Sequence, residues 1–177
     1  MVASSEFEVE LSGGHPNSLG NTEAVTERIR RAPELLDELI GTYASDDEVV
    51  RLRVSSVLKR IVLSHPEWVL PRLHIIEQWV DSLGQPSAQW SLSQDYLALS
   101  PALTSTQRQS AIERMKGFLD SSNDWIVINH TIETLGQWAR KDPELRDWLV
   151  PRLHDYAHEP RKSIAGKARR HLAVLDR

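Results

Sequence analysis

Two short stretches of the chain, WVLPRLH at residues 68–74 and WLVPRLH at residues 148–154, are nearly identical in sequence. Their first residues, Trp68 and Trp148, are 80 residues apart. Each stretch carries a proline, Pro71 or Pro151, inside an otherwise helical pattern of apolar residues. Such a proline removes one backbone hydrogen bond and bends the helix axis. The match therefore predicts an internal repeat of equivalent helices.

Turn-forming segments divide the chain at regular intervals around this match. They are SDDEV from residue 45, GQPSA from 84, SSNDW from 121 and HEPRK from 158, which places them 37 to 39 residues apart. Each contains an N-cap residue or a proline suited to a first helical turn. Apolar residues at steps of three and four predict helices nearly throughout and no strands. A period of this length with two helices per unit is typical of helical solenoids.

The second helix of each unit can be aligned over twelve positions, at residues 50–61, 88–99, 127–138 and 164–175. Positions 1, 5, 9 and 12 share one face of a helix, and nearly all residues there are apolar, so they predict a buried stripe. Its members are Val50, Val54, Leu58, Ile61, Ala88, Leu92, Tyr96, Leu99, Val127, Thr131, Leu135, Trp138, Ile164, Ala168, Leu172 and Leu175. Positions 3, 7 and 10 point in roughly the opposite direction, where we expect an exposed surface.

The two ends of the chain differ from each other in charge. Residues 1–48 hold 11 acidic and 3 basic side chains, whereas residues 140–177 hold 10 basic and 6 acidic. Ser, Gly, Pro and Asn cluster without periodicity near the start, which predicts a flexible acidic tail over residues 1–21. We expect the remainder, residues 22–177, to form a single all-helical domain.

The segment DDEVVRLRVSSVLKRI, residues 46–61, resembles the second helix of a HEAT repeat. Over residues 22–177 the chain is similar to bacterial HEAT-repeat proteins, whose functions are generally unassigned. The resemblance implies a right-handed α-α superhelix of about four helix pairs, with the second helices lining a concave groove. The Arg of the family's Asp and Arg pair is clear only as Arg51, and Gln89, Ile128 and Ala165 replace it later.

The helical positions and this resemblance together predict a partner-binding groove. Leu52 and Trp90 are the predicted anchors, because large apolar side chains on a wet face are typical of interaction sites. The other predicted groove residues are polar: Arg53, Gln94, Asn129, His130, Glu133 and Arg170. The alternative is that the two anchors pack against a neighbouring helix or against the N-terminal tail folded back.

The leading functional hypothesis is a non-enzymatic scaffold that binds another protein or a peptide segment and needs no cofactor. The alternative is a nucleic-acid-binding protein related to the HEAT-like alkylpurine DNA glycosylases. For that class the groove positions supply only Lys59, Arg170, Trp90 and Glu133, and a net charge of −4 argues against nucleic acid. A third hypothesis is head-to-tail assembly through the oppositely charged ends.

Other functional classes find little support in the sequence. The chain has no cysteine, which excludes disulfides and thiol nucleophiles and favours a reducing cytoplasm. No signal peptide, membrane span, phosphate-binding loop or nucleophile elbow is recognisable. His154 and His158 have i,i+4 spacing, but we expect dipole and solvent contacts rather than a metal. Four tryptophans at helical spacing are predicted to be core residues: Trp68, Trp79, Trp138 and Trp148.

Overall fold

Two helices begin at capping residues of the predicted turn segments, Asp47 and Asp124. The Asp47 carboxylate accepts a hydrogen bond from the Val49 amide at 2.8 Å, and the Asp124 carboxylate accepts one from Ile126 at the same distance. Thr104 forms a capping box with Gln107, three residues later. These contacts satisfy amides that have no partner inside the helix, and so they fix where each helix starts.

A computed structural model describes residues 5–15 and 18–176, and in these residues all regular structure is helical. The prediction of an all-helical chain is confirmed for this part. The helices are α1 (Glu6–Leu11), α2 (Thr22–Arg31), α3 (Leu36–Gly41), α4 (Glu48–Ser64), α5 (Pro66–Val69), α6 (Leu73–Leu83), α7 (Pro86–Leu99), α8 (Ser105–Ser121), α9 (Trp125–Trp138), α10 (Pro143–Ala157) and α11 (Lys162–Leu175). Short 3₁₀ turns occupy Pro33–Leu35, Thr42–Ala44 and Leu70–Arg72. Among the described helices, none is both long and apolar enough to cross a membrane.

The chain divides into two compact units, Met1–Ala102 and Leu103–Arg177. In the first unit α4 is central and packs against α2, α5 and α7. In the second unit α9 packs against α8, α10 and α11, and α10 packs against α11. The prediction of one domain over residues 22–177 stays a prediction.

The predicted apolar stripe forms the core of both units. Every stripe residue is buried except Leu172, which is partly exposed. The prediction is confirmed. A period of 3.6 residues determines which face of a helix is apolar, and therefore which face is buried.

The tryptophans predicted to be core residues differ from one another in burial. Trp138 is buried, but Trp68, Trp79 and Trp148 are half-buried, so the prediction that these three are core residues was wrong.

The N-terminal segment departs from the flexible tail that the sequence predicted. Residues 6–11 form α1, whose side chains Phe7 and Leu11 are fully buried. Polar contacts to the region before α4 add to this packing. The Ser5 and Thr42 hydroxyls lie 2.9 Å apart, and Ser45 donates to Glu8 at 2.7 Å. Residues 1–4, 16 and 17 of the predicted tail lie outside the described residues.

The near-identical WxxPR stretches make equivalent contacts, one in each unit. Arg72 donates to the Trp68 carbonyl at 2.9 Å, and Arg152 donates to the Trp148 carbonyl at 3.1 Å. In both stretches the guanidinium reaches back one helical turn, from the residue after the proline to the carbonyl four residues earlier. Each arginine also reaches a carboxylate of an earlier helix. Arg72 lies 2.5 Å from Asp37, and Arg152 lies 3.8 Å from Asp120.

Candidate functional site

The predicted second helices of the repeats are α4, α7, α9 and α11. Within each compact unit two of them lie side by side, α4 with α7 and α9 with α11, and this packing decides which predicted groove residues are accessible. In the first unit Arg51 of α4 donates to the Gln85 side chain, just before α7, at 2.5 Å. In the second unit Asn129 of α9 donates to Ser163 of α11 at 3.3 Å. We call the contact of α9 with α11 the α9–α11 seam. It consists of Asn129, Glu133 and Gly136 on α9 and of Ser163, Lys167 and His171 on α11.

Leu52, Trp90 and Gln94 all belong to the first unit and are half-buried. Trp90 and Gln94 are one turn apart on α7, and the Gln94 amide donates to the Trp90 carbonyl at 3.3 Å. The two predicted anchors therefore retain part of their surface for a partner. Whether a partner contacts them stays a prediction.

Arg53 does not lie on an accessible rim, in contrast to the prediction. Its side chain is 1% exposed because the N-terminal segment wraps around the guanidinium. The guanidinium donates to the carbonyls of Leu11 and Gly13 at 2.6 Å each, to His15 at 3.2 Å and to Ser18 at 3.3 Å. The N-terminal segment thus folds back onto α4 at Arg53, whereas the sequence analysis considered such packing only for Leu52 and Trp90.

Glycine geometry makes the contact with Arg53 possible. Gly13, Gly14 and Gly20 have φ angles of 71°, 72° and 51°, which few other residues adopt. A Cβ atom on Gly20 would lie 2.8 Å from the Arg53 guanidinium carbon. Composition marked these glycines as turn formers, but no local pattern linked them to an arginine more than thirty residues away.

Glu133 is the centre of a charged cluster in the α9–α11 seam. Lys167 forms an ion pair with its carboxylate, Gln137 donates to it at 2.9 Å, and the His171 ring nitrogen lies 3.6 Å away. Burial favours the neutral acid, but the hydrogen bonds from Lys167 and Gln137 outweigh it and lower the pKa of Glu133 to about 2. Burial also lowers the pKa of His171, with Glu133 acting in the opposite direction. Glu133 is therefore ionised and paired within the seam.

The remaining predicted residues of the second unit differ in accessibility. Asn129 is buried in the seam, whereas His130 is half-buried and Arg170 is exposed. Asn129 was expected in an open groove, and it is covered because α11 packs against that face of α9. The sequence alignment treated each helix separately and so could not show which face a neighbour covers.

Trp125 is an exposed aromatic residue that sequence reasoning did not select. It is the first residue of α9 and is 51% exposed. It precedes Asn129 by one helical turn, and the Asn129 side chain donates to its carbonyl at 2.8 Å. Trp125 precedes the twelve aligned positions, and extending the alignment by one turn would have found it.

A buried acid in the first unit also escaped the sequence analysis. Asp95 of α7 is 5% exposed, and among the described residues its Oδ1 atom has no hydrogen-bond partner. Ser91, one turn earlier, is buried and has an unpaired hydroxyl within the same described part of the chain. Burial raises the pKa of Asp95 to about 8, although the positive charge of Lys59 acts against this rise.

The two histidines considered as metal ligands have other contacts. The His154 ring lies 2.9 Å from the Asp176 carboxylate, and the His158 ring nitrogen lies 2.8 Å from the His154 carbonyl. Within residues 5–15 and 18–176, no group of three or more His, Asp or Glu side chains is arranged to hold a metal ion. A shallow cavity of about 450 Å³ lies nearby and is lined by Arg146, Asp147, Val150, Pro151, Leu175 and Asp176.

Comparisons with known proteins identify no relative of the chain. No protein-family model, no curated protein and no solved structure matches the chain.

Proposed function

We propose that the chain is a non-enzymatic protein-interaction scaffold, built as a short HEAT-like solenoid whose second helices bind a partner segment. The equivalent contacts of Arg72 and Arg152 in the two units support a repeat of helix pairs. Side-by-side packing of the second helices, α4 with α7 and α9 with α11, supports the same architecture. A cytoplasmic location agrees with a chain that has no cysteine.

The observation that carries this proposal is the exposure of Trp125. About half of Trp125 is in contact with solvent at the start of α9. A large aromatic side chain gains free energy when a partner covers it, which is why tryptophan is enriched at the centres of protein interfaces. In the first unit the half-buried Leu52 and Trp90 are the corresponding candidates.

Quantitative affinity purification from the native host tests the proposal. Trp125→Ala removes an exposed aromatic side chain and Trp90→Ala a half-buried one, so we expect the main co-purifying protein to fall at least several-fold. Val9→Ala is the matched control, because Val9 is 67% exposed and lies on α1, outside the second helices. Retention of every partner by both tryptophan variants would contradict the site, and a chain that captures no protein above background would contradict the function.

A further inference from the structure

The exposed face of α11 occupies the same aligned positions as the α9 face of the α9–α11 seam. On α9, the aligned positions 3, 7 and 10 hold Asn129, Glu133 and Gly136, and α11 covers or pairs with each of them. The same positions of α11 are Gly166, Arg170 and Ala173, and all three are exposed. The face of α11 that corresponds to the helix-receiving face of α9 is therefore open to solvent.

The shape of this face suits close approach of a helix. At Gly136 an added Cβ would overlap the His171 ring, so the absence of a side chain is what lets α11 approach α9. Gly166 and Ala173 flank Arg170 on the same face, and a Cβ added at Gly166 would meet no atom within 4 Å. Small residues let two helix backbones come close, as ridges of one helix pack between those of the other.

The charge of the face indicates the chemistry of its occupant. In the α9–α11 seam, position 7 of α9 is the acid Glu133, and the incoming helix supplies the base Lys167. On α11 the charge at position 7 is reversed, because Arg170 stands there. Lys162 is exposed on the first turn of the same helix, and residues 160–175 contain no Asp or Glu. An incoming helix that repeats the α9–α11 seam must carry a carboxylate where α11 carries Lys167.

We propose that the exposed face of α11 is a docking surface for an acidic helix of a partner protein, which packs against it as α11 packs against α9. This face belongs to the predicted groove, of which Arg170 is one residue, so the proposal rests on the proposed function. Its test is separate, because binding of a helix to α11 does not depend on Trp90 or Trp125. A second copy of the chain and a nucleic acid are the other occupants that a basic helix face could attract.

Binding of two synthetic peptides to the full chain tests this proposal. The first is an alanine- and leucine-based helical peptide of about four turns with a row of Glu on one face, and the second carries Lys at the same places. We expect the Glu peptide to bind and the Lys peptide not to bind. Arg170→Glu should weaken the Glu peptide about tenfold, because an attraction becomes a repulsion. Arg146→Glu, an exposed arginine of α10, is the matched control and should have no effect.

Ala173→Gln separates packing from charge. Ala173 is exposed and stands at position 10, where the missing side chain of Gly136 lets α11 approach α9, and glutamine is a good helix former, so the variant should fold nearly as stably as the wild type. The added side chain should nevertheless block a docked helix and abolish binding of the Glu peptide. Retained binding by this variant would overturn the packing model.

Four further outcomes overturn the proposal. Two of them are equal binding of both peptides and no binding of the Glu peptide at low salt. A third is tighter binding of duplex DNA than of the Glu peptide, which would assign the face to nucleic acid. The fourth is self-association of the wild-type chain that Arg170→Glu abolishes in analytical ultracentrifugation, which would assign the face to a second copy.

Discussion

Two carboxyl groups on second helices show how neighbouring side chains decide whether an acid is charged. Asp95 is buried, and Glu133 is half-buried. Hydrogen bonds from Lys167 and Gln137 keep Glu133 charged, whereas Asp95 has an oxygen without a partner among the described residues. Burial without a hydrogen-bond donor favours the neutral acid, which is why the pKa of Asp95 is raised to about 8.

Replacing Asp95 with asparagine tests this account at the scale of one residue. The unfolded chain releases the Asp95 proton near pH 3.8, whereas the folded chain keeps it until about pH 8. The stability of the wild type should therefore fall as pH rises through this window. The asparagine of the Asp95→Asn variant is never charged. At pH 8 the free energy of unfolding of this variant should therefore be about 1–3 kcal/mol higher than that of the wild type.

Thermal unfolding at pH 4 and pH 8 provides the measurement. The advantage of the Asp95→Asn variant should largely disappear at pH 4, where the asparagine and the protonated aspartic acid are both neutral. Asp46→Asn, at an exposed turn position, is the control and should show no comparable dependence on pH. An Asp95→Asn variant that is no more stable than the wild type at pH 8 would contradict the raised pKa.

At the scale of helices, the structure separates what a sequence pattern can predict from what it cannot. The buried stripe and the helix starts followed from residues close together in sequence, such as Val50 with Val54 and Asp47 with Val49. The burial of Arg53 and Asn129 could not be predicted in this way, because each is covered by a segment more than thirty residues away. Helix α1 has only six residues, too few for a period to be recognised, which is why the sequence predicts a flexible tail there.

Substitution by alanine should change the stability of the protein in opposite directions at two glycines on neighbouring second helices. Gly136→Ala places a methyl group against the His171 ring and should lower the free energy of unfolding by about 1–3 kcal/mol. Gly166→Ala meets no atom within 4 Å and should raise it by up to about 1 kcal/mol, because alanine is the better helix former. Urea unfolding of both variants measures the difference. Equal effects of the two substitutions would contradict the described contact of α9 with α11.

Arg53 should decide whether the N-terminal segment stays folded against α4. In Arg53→Ala four carbonyl oxygens lose their common donor, while alanine preserves the helix itself. We expect amides of α1 to exchange with deuterium at least about tenfold faster than in the wild type, with α9 and α11 unchanged. Arg60→Ala is the control, because Arg60 lies on the same helix and donates to the Ser56 carbonyl one turn earlier. Unchanged protection of α1 in Arg53→Ala would show that Phe7 and Leu11 hold the segment without the arginine.

At the scale of the whole molecule, charge is divided between the two units. Residues 1–102 carry 15 acidic and 8 basic side chains, whereas residues 103–177 carry 10 acidic and 13 basic. A chain of this kind offers surfaces of both signs to partners, and charge acts mainly on the rate and specificity of their association. Tryptophan surface on the second helices supplies the apolar contact that a stable complex also needs.

The six tryptophans provide the most direct test of the central claim that second helices bind a partner. Hydroxyl-radical footprinting compares the oxidation of each tryptophan in the free protein and in its complex with the co-purified partner. We predict slower oxidation of Trp90 and Trp125 in the complex. Trp68, Trp79 and Trp148 lie on α5, α6 and α10 and serve as internal controls that should not change. Protection confined to these three residues, or no protection of Trp90 and Trp125, would contradict the claim.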